Sequence, residues 1–290
     1  MHETIVLGGA SWNTMIYLDR FPEPKPATIA HARSNIAAGS TGIGKALALR
    51  ALGHDTLLHA TIGDDEAGGA VRAFCTLRGL ETHFDIDPGG TARHVNLMNP
   101  AGERISIFLA NGSDKPPIGV ADLAPEIATA RTIFLNITQS SIPLLPVVRA
   151  AGGEVWVDLH DFDGANPYHR QFIDEADVLQ LSDEALPDPR PLMAELARKA
   201  RLVICTRGSQ GALALDATGA WHEVSAVPAK LIDSNGAGDT FFVAVWHALR
   251  QGRTMGEALR FAAAAAALAV ESFELVPQTL SEAAVVARMG

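Results

Sequence analysis

Cysteine and positive charge are both scarce in this sequence. Only 2 of its 290 residues are cysteines, Cys75 and Cys205, which is too few for a disulfide scaffold or a cysteine-based zinc site. The 23 Lys and Arg are outnumbered by 33 Asp and Glu, so the formal net charge is −10. Proteins that bind nucleic acids or anionic membranes present a basic face. We therefore expect neither kind of partner, although one site can still be locally positive toward a small phosphorylated ligand.

Long hydrophobic runs are also missing. The most apolar stretch, residues 261–270, is mostly alanine and lies between Arg260 and Glu271, which predicts a tightly packed helix of a globular protein and not a membrane span. The first residues, Met-His-Glu-Thr, lack the basic region of a signal peptide. With 48% hydrophobic and 19% charged residues, the composition is typical of a folded domain with a large core. We expect a cytoplasmic protein.

The chain alternates between short apolar runs and helical patterns. Strands are predicted at residues 4–7, 55–61, 132–135, 154–158, 176–180 and 202–206, with helices between them at 42–52, 67–78, 142–150 and 191–199. Such alternation indicates an α/β fold with a doubly wound, mostly parallel sheet flanked by helices. A further strand is predicted at 227–232, followed by a long helix that ends near residue 249.

Two segments do not fit this alternation, residues 13–35 and 91–110. The second contains two strand patterns, 93–98 and 104–109, joined by Asn-Pro-Ala-Gly-Glu, which indicates a hairpin. We expect both segments to form a small β lid beside the main sheet. Because no linker or internal repeat is visible, residues 1–290 are expected to form a single domain.

The sharpest motif is Gly-Ala-Gly-Asp at residues 236–239, between the last predicted strand and the long helix. Glycines at a helix start leave backbone N–H groups free, and together with the helix dipole these bind anions. Asp239 would lie in the first turn of that helix. It is either a partner of the helix dipole or a general base beside a bound phosphate.

Five motifs in order along nearly the whole chain resemble those of the ribokinase-like (PfkB) carbohydrate kinases. They are Gly-Gly-Ala at 8–10 with Asn13, Gly-Ser-Thr-Gly-Ile-Gly at 39–44, Thr-Ile-Gly-Asp-Asp at 61–65, Thr-Arg-Gly-Ser-Gln-Gly at 206–211, and Gly-Ala-Gly-Asp-Thr-Phe at 236–241. The resemblance implies a ribokinase-like fold. It also implies a kinase that transfers the γ-phosphate of ATP to a hydroxyl of a sugar or sugar-like substrate.

The resemblance further implies a role for individual residues. Asp239 would take the proton from the acceptor hydroxyl, while the N–H groups of Gly236, Ala237 and Gly238 would stabilise the transferred phosphoryl group. Mg²⁺ would bridge the phosphates. A homodimer through the lid is also implied. The remaining implied residues bind the substrate (Asn13, Gly39, Ser40, Gly42, Gly44, Asn136), the nucleotide (Ser182, Thr206, Gly208, Gly211, Gly236, Gly238) or a monovalent cation such as K⁺ (Asp233).

Several positions depart from the family pattern. Ser40 replaces the second of two adjacent glycines, Gly44 stands where an asparagine touches the sugar, and Thr138 stands where an acidic residue often binds it. Ser182-Asp-Glu replaces the start of an Asn-x-x-Glu motif tied to Mg²⁺ and phosphate. The acceptor therefore stays open among sugars, sugar phosphates, polyols and nucleosides. A nucleoside kinase of the same fold and a non-catalytic sugar- or nucleotide-binding regulatory protein remain alternatives.

Residues 39–46 also come close to a P-loop, but Ala46 stands where the hydroxyl that binds Mg²⁺ is required. We expect the glycines of this segment to let the backbone approach the acceptor closely. Lys45 is expected to be a solvated helix residue or, alternatively, a contact to an anionic substrate group. Residues 158–163, Asp-Leu-His-Asp-Phe-Asp, are expected to form a polar loop at the substrate or ATP mouth and not a metal site.

Overall fold

A computed structural model describes residues 2–289. Its strands, in chain order, are β1 (Thr4–Leu7), β2 (Ser11–Tyr17), β3 (Arg33–Gly39), β4 (Thr56–Ile62), β5 (Glu81–Ile86), β6 (Arg93–Met98), β7 (Arg104–Ala110), β8 (Thr132–Asn136), β9 (Glu154–Asp158), β10 (Val178–Ser182), β11 (Leu202–Thr206), β12 (Ala212–Asp216) and β13 (Trp221–Val224). Its α-helices are α1 (Thr41–Ala51), α2 (Glu66–Leu77), α3 (Val120–Thr129), α4 (Leu145–Ala150), α5 (Arg170–Ile173), α6 (Arg190–Leu196), α7 (Ala237–Arg250), α8 (Met255–Val270) and α9 (Glu282–Arg288).

The main sheet has the order β13-β12-β11-β10-β9-β8-β1-β4-β5. All neighbours from β5 to β11 are parallel, whereas β12 and β13 add an antiparallel edge. The predicted fold class is therefore confirmed. The predictions missed α3 and also β5, a strand of the sheet edge whose polar, half-exposed residues do not form an apolar run.

Helices cover both faces of the main sheet, and side chains of the central strands alternate between the two cores. On β1, Val6 faces the core formed with α1, α2, α7 and α8, whereas Ile5 and Leu7 face the core formed with α3, α4, α5 and α6. Successive residues of a strand point to opposite faces. Because both faces are buried, the strands are apolar throughout, as predicted. Cys75 and Cys205 are free, buried thiols within these cores.

The predicted strand at 227–232 is wrong. These residues are irregular, since Pro228 offers no N–H for a sheet. The backbone N–H groups of Ile232 and Asp233 instead donate to the carbonyl oxygen of Val270, at the end of α8. This connection brings the chain from the sheet edge to the start of α7.

A second sheet has the order β3-β2-β6-β7 and contains strands from both segments that interrupt the alternation. β2 pairs with β3 in antiparallel and with β6 in parallel orientation, and β6 and β7 form the predicted hairpin. We call these four strands the lid sheet. β7 is exposed along almost its whole length.

The main sheet also determines where a ligand can bind. The chain leaves β1 toward β4 on one side and later returns to β8 on the other, so the strand order reverses at β1. Ligands of open α/β sheets bind at such a point, beyond the carboxyl ends of the strands. Among the described residues, no helix combines the length and apolar character needed to cross a bilayer.

Candidate active site

Two helices begin beyond the carboxyl ends of the central strands. α7 begins after Gly236, whose φ of 78° lies in the left-handed region, and a Cβ there would overlap with the carbonyl oxygen of Leu275. Only glycine suits this position. A Cβ at Gly238, by contrast, would meet nothing within 4 Å. The space beside Gly238 is therefore open, as a bound anion at this helix start would require, while the N–H of Ala237 donates to the carbonyl oxygen of Ser234 over 3.3 Å.

Asp239 lies in the first turn of α7 with 7% of its surface exposed. Its Oδ1 atom accepts a hydrogen bond of 2.5 Å from Nζ of Lys45, on α1. The same Nζ donates to Oδ2 of Asp158, at the end of β9, over 3.1 Å. Lys45 is only 1% exposed. The expectation of a solvated lysine is thus wrong, because two buried carboxylates hold its charge inside the protein.

The ionisation of these three groups depends on that contact. Burial raises the pKa of Asp239 above its usual value, and the charge of Lys45 opposes this rise only partly. Burial alone would lower the pKa of Lys45, but the charges of Asp239 and Asp158 raise it overall. The pKa of Asp158 is lowered, because His160 and Lys45 outweigh its burial. A carboxylate with a raised pKa suits a general base.

The glycines at the start of α1 make room for protein atoms. A Cβ at Gly42 would lie 2.5 Å from the carbonyl oxygen of Gly9, and one at Gly44 would overlap with Oδ2 of Asp239. A Cβ at Gly39 would overlap with the side-chain amide of Asn13. These glycines thus let the helix pack against the β1 loop and Asp239, and their approach to the acceptor stays a prediction.

Ser40, the N-cap residue of α1, has φ 79° and ψ 155°. This region of backbone space is almost restricted to glycine, and other residues there are strained. Ser40, which replaces the second glycine of the family's pair, is thus a strained residue beside the candidate site. Its hydroxyl oxygen lies next to Gly9, since a Cβ at that glycine would overlap with it.

Two asparagines predicted to bind substrate are buried. Asn136, at the end of β8, accepts a hydrogen bond from Thr41 and donates one to the carbonyl oxygen of Leu7. With its side-chain oxygen and nitrogen both engaged, it braces β1, β8 and α1, and its direct contact with the substrate stays a prediction. Asn13, on β2, accepts a hydrogen bond from the backbone N–H of His94 over 3.3 Å and so links two strands of the lid sheet.

The predicted nucleotide residues follow β10 and β11. Ser182 ends β10 beside Thr206, which ends β11. Gly208 and Gly211 both have positive φ, of 51° and 92°. A Cβ at Gly208 would meet nothing within 4 Å, whereas one at Gly211 would overlap with the carbonyl oxygen of Val224. Gly208 thus lies on an open loop at the same edge of the sheet as α7, and Gly211 permits the turn into β12.

Asp233 lies just before the anion site and is in contact with the lid sheet. Its Oδ2 atom accepts a hydrogen bond of 2.6 Å from the hydroxyl of Tyr17, and Oδ1 accepts bonds from the N–H and side-chain amide of Asn235. Arg104 of β7 donates to Asn235 over 2.8 Å. Both carboxylate oxygens thus accept hydrogen bonds from protein donors, and the role of Asp233 as a monovalent-cation ligand stays a prediction.

The sequence patterns missed three residues of this site. Lys45 forms ion pairs with both Asp239 and Asp158, and Gln180 of β10 donates to the carbonyl oxygen of Gly238 over 3.2 Å. Asp158 and Gln180 lie at or near the carboxyl ends of buried strands, which is a signal that could have identified them. Lys45 has no such signal, because its partners are 113 and 194 residues away in sequence.

Known proteins resemble this chain over its whole length. The chain is 33% identical over 277 residues to acarbose 7(IV)-phosphotransferase of Actinoplanes sp., covering 92% of this chain and 91% of that protein. It is 26% identical over 289 residues to ribokinase of Bacillus subtilis, covering 94% of each. The sequence pattern of the pfkB family of carbohydrate kinases matches residues 160–280.

Solved structures show the same fold. The structure of a microbiome-derived acarbose kinase superposes with a TM-score of 0.88 at 26% identity, covering 99% of each chain. Ribokinase of Arabidopsis thaliana, solved with ribose and ATP, superposes with a TM-score of 0.79 at 23% identity, covering 99% of this chain and 98% of that one.

Proposed function

Since this chain belongs to the pfkB family of carbohydrate kinases, and is thus a phosphotransferase with an alcohol group as acceptor, we propose that it transfers the γ-phosphate of ATP to one hydroxyl of a sugar or sugar-like glycoside. The observation that carries this proposal is the buried carboxylate of Asp239 in the first turn of a helix whose start faces open space. A carboxylate next to open space at a helix start supports a base beside an anion site, the pair that phosphoryl transfer to an alcohol requires.

In the proposed reaction, Oδ2 of Asp239 takes the proton of the acceptor hydroxyl. The acceptor oxygen forms its bond to the γ-phosphorus as the bond from that phosphorus to the β,γ-bridging oxygen breaks, and ADP leaves. The N–H groups of Gly236, Ala237 and Gly238 donate hydrogen bonds to the phosphoryl oxygens, that of Ala237 in place of its bond of 3.3 Å to the carbonyl oxygen of Ser234. Gln180 holds the carbonyl group of Gly238 and so helps to keep these donors aligned.

The nucleotide would extend from the start of α7 to the loop after β11. Ser182, Thr206 and Gly208 lie along this path, and the open space at Gly208 and Gly238 fits a ligand. The carboxylates of Asp183, half-buried, and Glu184, exposed, follow β10 at the same edge, and such oxygens are ligands that Mg²⁺ prefers. When bound there, Mg²⁺ would neutralise phosphate charge. A monovalent cation at Asp233 stays a prediction and is no part of the proposed step.

The acceptor is proposed to lie between the lid sheet and the start of α1. Ser40 offers a hydroxyl there, and Thr138 stands at the end of β8, where it bonds to Ser140 and Ser141. Two relatives, one by sequence and one by structure, carry acarbose in their names. Acarbose and related oligosaccharides therefore belong in the first acceptor panel beside ribose.

The test is acceptor-dependent ADP release with ATP and Mg²⁺, over a panel of oligosaccharides, monosaccharides, sugar phosphates, polyols and nucleosides. Asp239→Asn should lower kcat about 1,000-fold, since a general base contributes about 10²–10⁴-fold, with ADP binding retained in calorimetry. Asp122→Asn, in the first turn of α3, is the matched control and should change nothing.

Other outcomes of the same panel would contradict the proposal. A strong response to nucleosides alone would show a nucleoside kinase of this fold. Binding of ADP and a sugar with no turnover on any acceptor would show a non-catalytic binding protein. An active Asp239→Asn variant would remove Asp239 from the role of base.

A homodimer through the lid sheet is part of this proposal. The lid sheet exposes a row of large apolar side chains on β3 and β7: Ile36, Ile105, Ile107, Phe108 and Leu109. Pairing with a second copy would cover them. Light scattering should then give twice the mass of 30.6 kDa, and Phe108→Asp should give the monomer mass. A monomer mass for the unmodified chain would contradict the dimer.

A further inference from the structure

Lys45 is an almost completely buried lysine, and its charge lies within the candidate active site. It is 1% exposed, and lysines are almost never fully buried unless they are paired. Its pairing is double, with Oδ1 of Asp239 at 2.5 Å and Oδ2 of Asp158 at 3.1 Å. Removing an ammonium group from water is costly, so its presence beside the proposed base calls for a functional explanation.

Consecutive residues of α1 locate the two oxygens of the Asp239 carboxylate. Lys45 donates to Oδ1, and the bare Cα of Gly44 leaves space for Oδ2, which a Cβ there would overlap. Any larger residue at position 44 would therefore push the carboxylate away from Lys45. The absence of a side chain at Gly44 thus lets the carboxylate of Asp239 reach the ammonium group of Lys45.

The position of Lys45 is itself fixed from the far side. Asp158 ends β9 and accepts its second bond, at Oδ1, from the backbone N–H of His160 over 3.1 Å. The carbonyl oxygen of His160 in turn accepts a bond of 2.7 Å from the N–H of Ser182. Lys45 is thus anchored to the main sheet through Asp158, and it connects that sheet to Asp239.

The remaining oxygen of the base stays available. Some side-chain atoms of the described residues are completely buried and have no hydrogen-bond partner. Oδ2 of Asp239 is not one of them. No donor of the described chain occupies it, since the bond from Lys45 goes to Oδ1. The geometry therefore separates the two oxygens into one that is held and one that can accept a proton.

We propose that Lys45, together with Gly44, positions Asp239: the charge-assisted bond to Oδ1 holds the carboxylate so that Oδ2 faces the acceptor hydroxyl. This inference rests on the proposed kinase reaction with Asp239 as base. The acceptor proton moves to Oδ2, and Lys45 keeps its own proton throughout. Lys45 is a positioning residue and does not contact the acceptor or ATP.

The experiment compares Lys45→Met, which keeps the length of the side chain without its charge, with the double variant Lys45→Met/Asp158→Asn. The double variant removes one of the two carboxylates that Lys45→Met leaves unpaired, and so it protects the fold. Each is measured for kcat, for KM of ATP and of the acceptor, and for the pH dependence of kcat/KM, with ADP binding by calorimetry as a control of the nucleotide site.

We expect Lys45→Met to lower kcat about 100-fold, the loss that a displacement of about 1 Å can cause, while the KM of ATP changes less than about twofold. The acid limb of kcat/KM should move to higher pH in Lys45→Met, because the lost cation favoured the ionised form of Asp239. In the double variant the thermal stability should recover toward that of the unmodified protein, whereas kcat should stay low.

The inference is overturned by a double variant with unmodified kcat, or by an acid limb that does not move. A raised KM of the acceptor with unchanged kcat would instead assign Lys45 to substrate binding. The two levels of failure are distinguishable. If the unmodified protein releases no ADP with any acceptor, the proposed function fails; if it is active and Asp239→Asn is not, but Lys45→Met is fully active, only this inference fails.

Discussion

The two helix starts at the site, those of α1 and α7, share a glycine-rich sequence but differ in what surrounds it. At α1, every glycine from 39 to 44 lies against protein atoms of the β1 loop, Asn13 or Asp239. At α7, Gly238 faces nothing within 4 Å. A glycine-rich helix start is therefore not by itself a ligand site. A ligand can bind beside such a glycine only where the space that a Cβ would fill is free of protein atoms.

The charges of the two helices differ in the same way. Asp239, in the first turn of α7, is favoured by the positive end of the helix dipole. Lys45, in the second turn of α1, gains nothing from its helix dipole, and it is stable there because the carboxylates of Asp158 and Asp239 pair with it. One helix start thus leaves open space beside Gly238, whereas the other supplies the cation that pairs with the proposed base.

Among substitutions at positions 40, 44 and 238, the largest effect is expected from filling the protein-packed start of α1. Gly44→Ala places a methyl group where Oδ2 of Asp239 lies, so the base must move, and kcat should fall about 100-fold. The matched control is Gly69→Ala on α2, where a Cβ meets nothing within 4 Å and activity should not change. Steady-state ADP release measures both, and equal activity of the two variants would refute the packing argument at α1.

A smaller effect, of a different kind, is expected from filling the open start. Gly238→Ala adds a methyl group in space that the phosphates are proposed to occupy, so the KM of ATP should rise about tenfold, a change of about 1.4 kcal/mol in binding. Because alanine is favoured over glycine within helices, thermal stability should not fall. A variant that unfolds at lower temperature, with unchanged KM, would show that protein and not ligand fills this space.

The smallest effect concerns stability at Ser40. Ser40→Gly removes the strain of φ 79° and ψ 155° and should raise the free energy of unfolding by about 1 kcal/mol, measured by urea titration. Ser40→Ala keeps the strained backbone and should give no gain. If both variants have the same stability, the backbone at position 40 is not strained, and strain is then no difference between the starts of α1 and α7.

The alternation of apolar runs predicted most of the fold because each strand of a sheet buried on both faces must be apolar, as β1 and β8 are. The polar edge strand β5 escaped this reasoning, since its exposure depends on its place in the sheet. The strand predicted at 227–232 was wrong because the pattern did not take into account that Pro228 offers no N–H for a sheet. The motifs also pointed to Asp239 and the glycines around it. They did not show which glycines face protein, because that depends on atoms from distant segments.

The sequence by itself determined the fold class, because the alternation of strands and helices is a local periodicity, and the resemblance of its motifs to those of the PfkB kinases indicated Asp239 as the base. Only the tertiary structure decided that Lys45 is buried between Asp158 and Asp239, that Asn136 is a brace, and that Tyr17 engages Asp233. The physical reason is common to all three: the energy of a buried charge or amide depends on partners about 95 to 216 residues away, and only the folded chain brings them together.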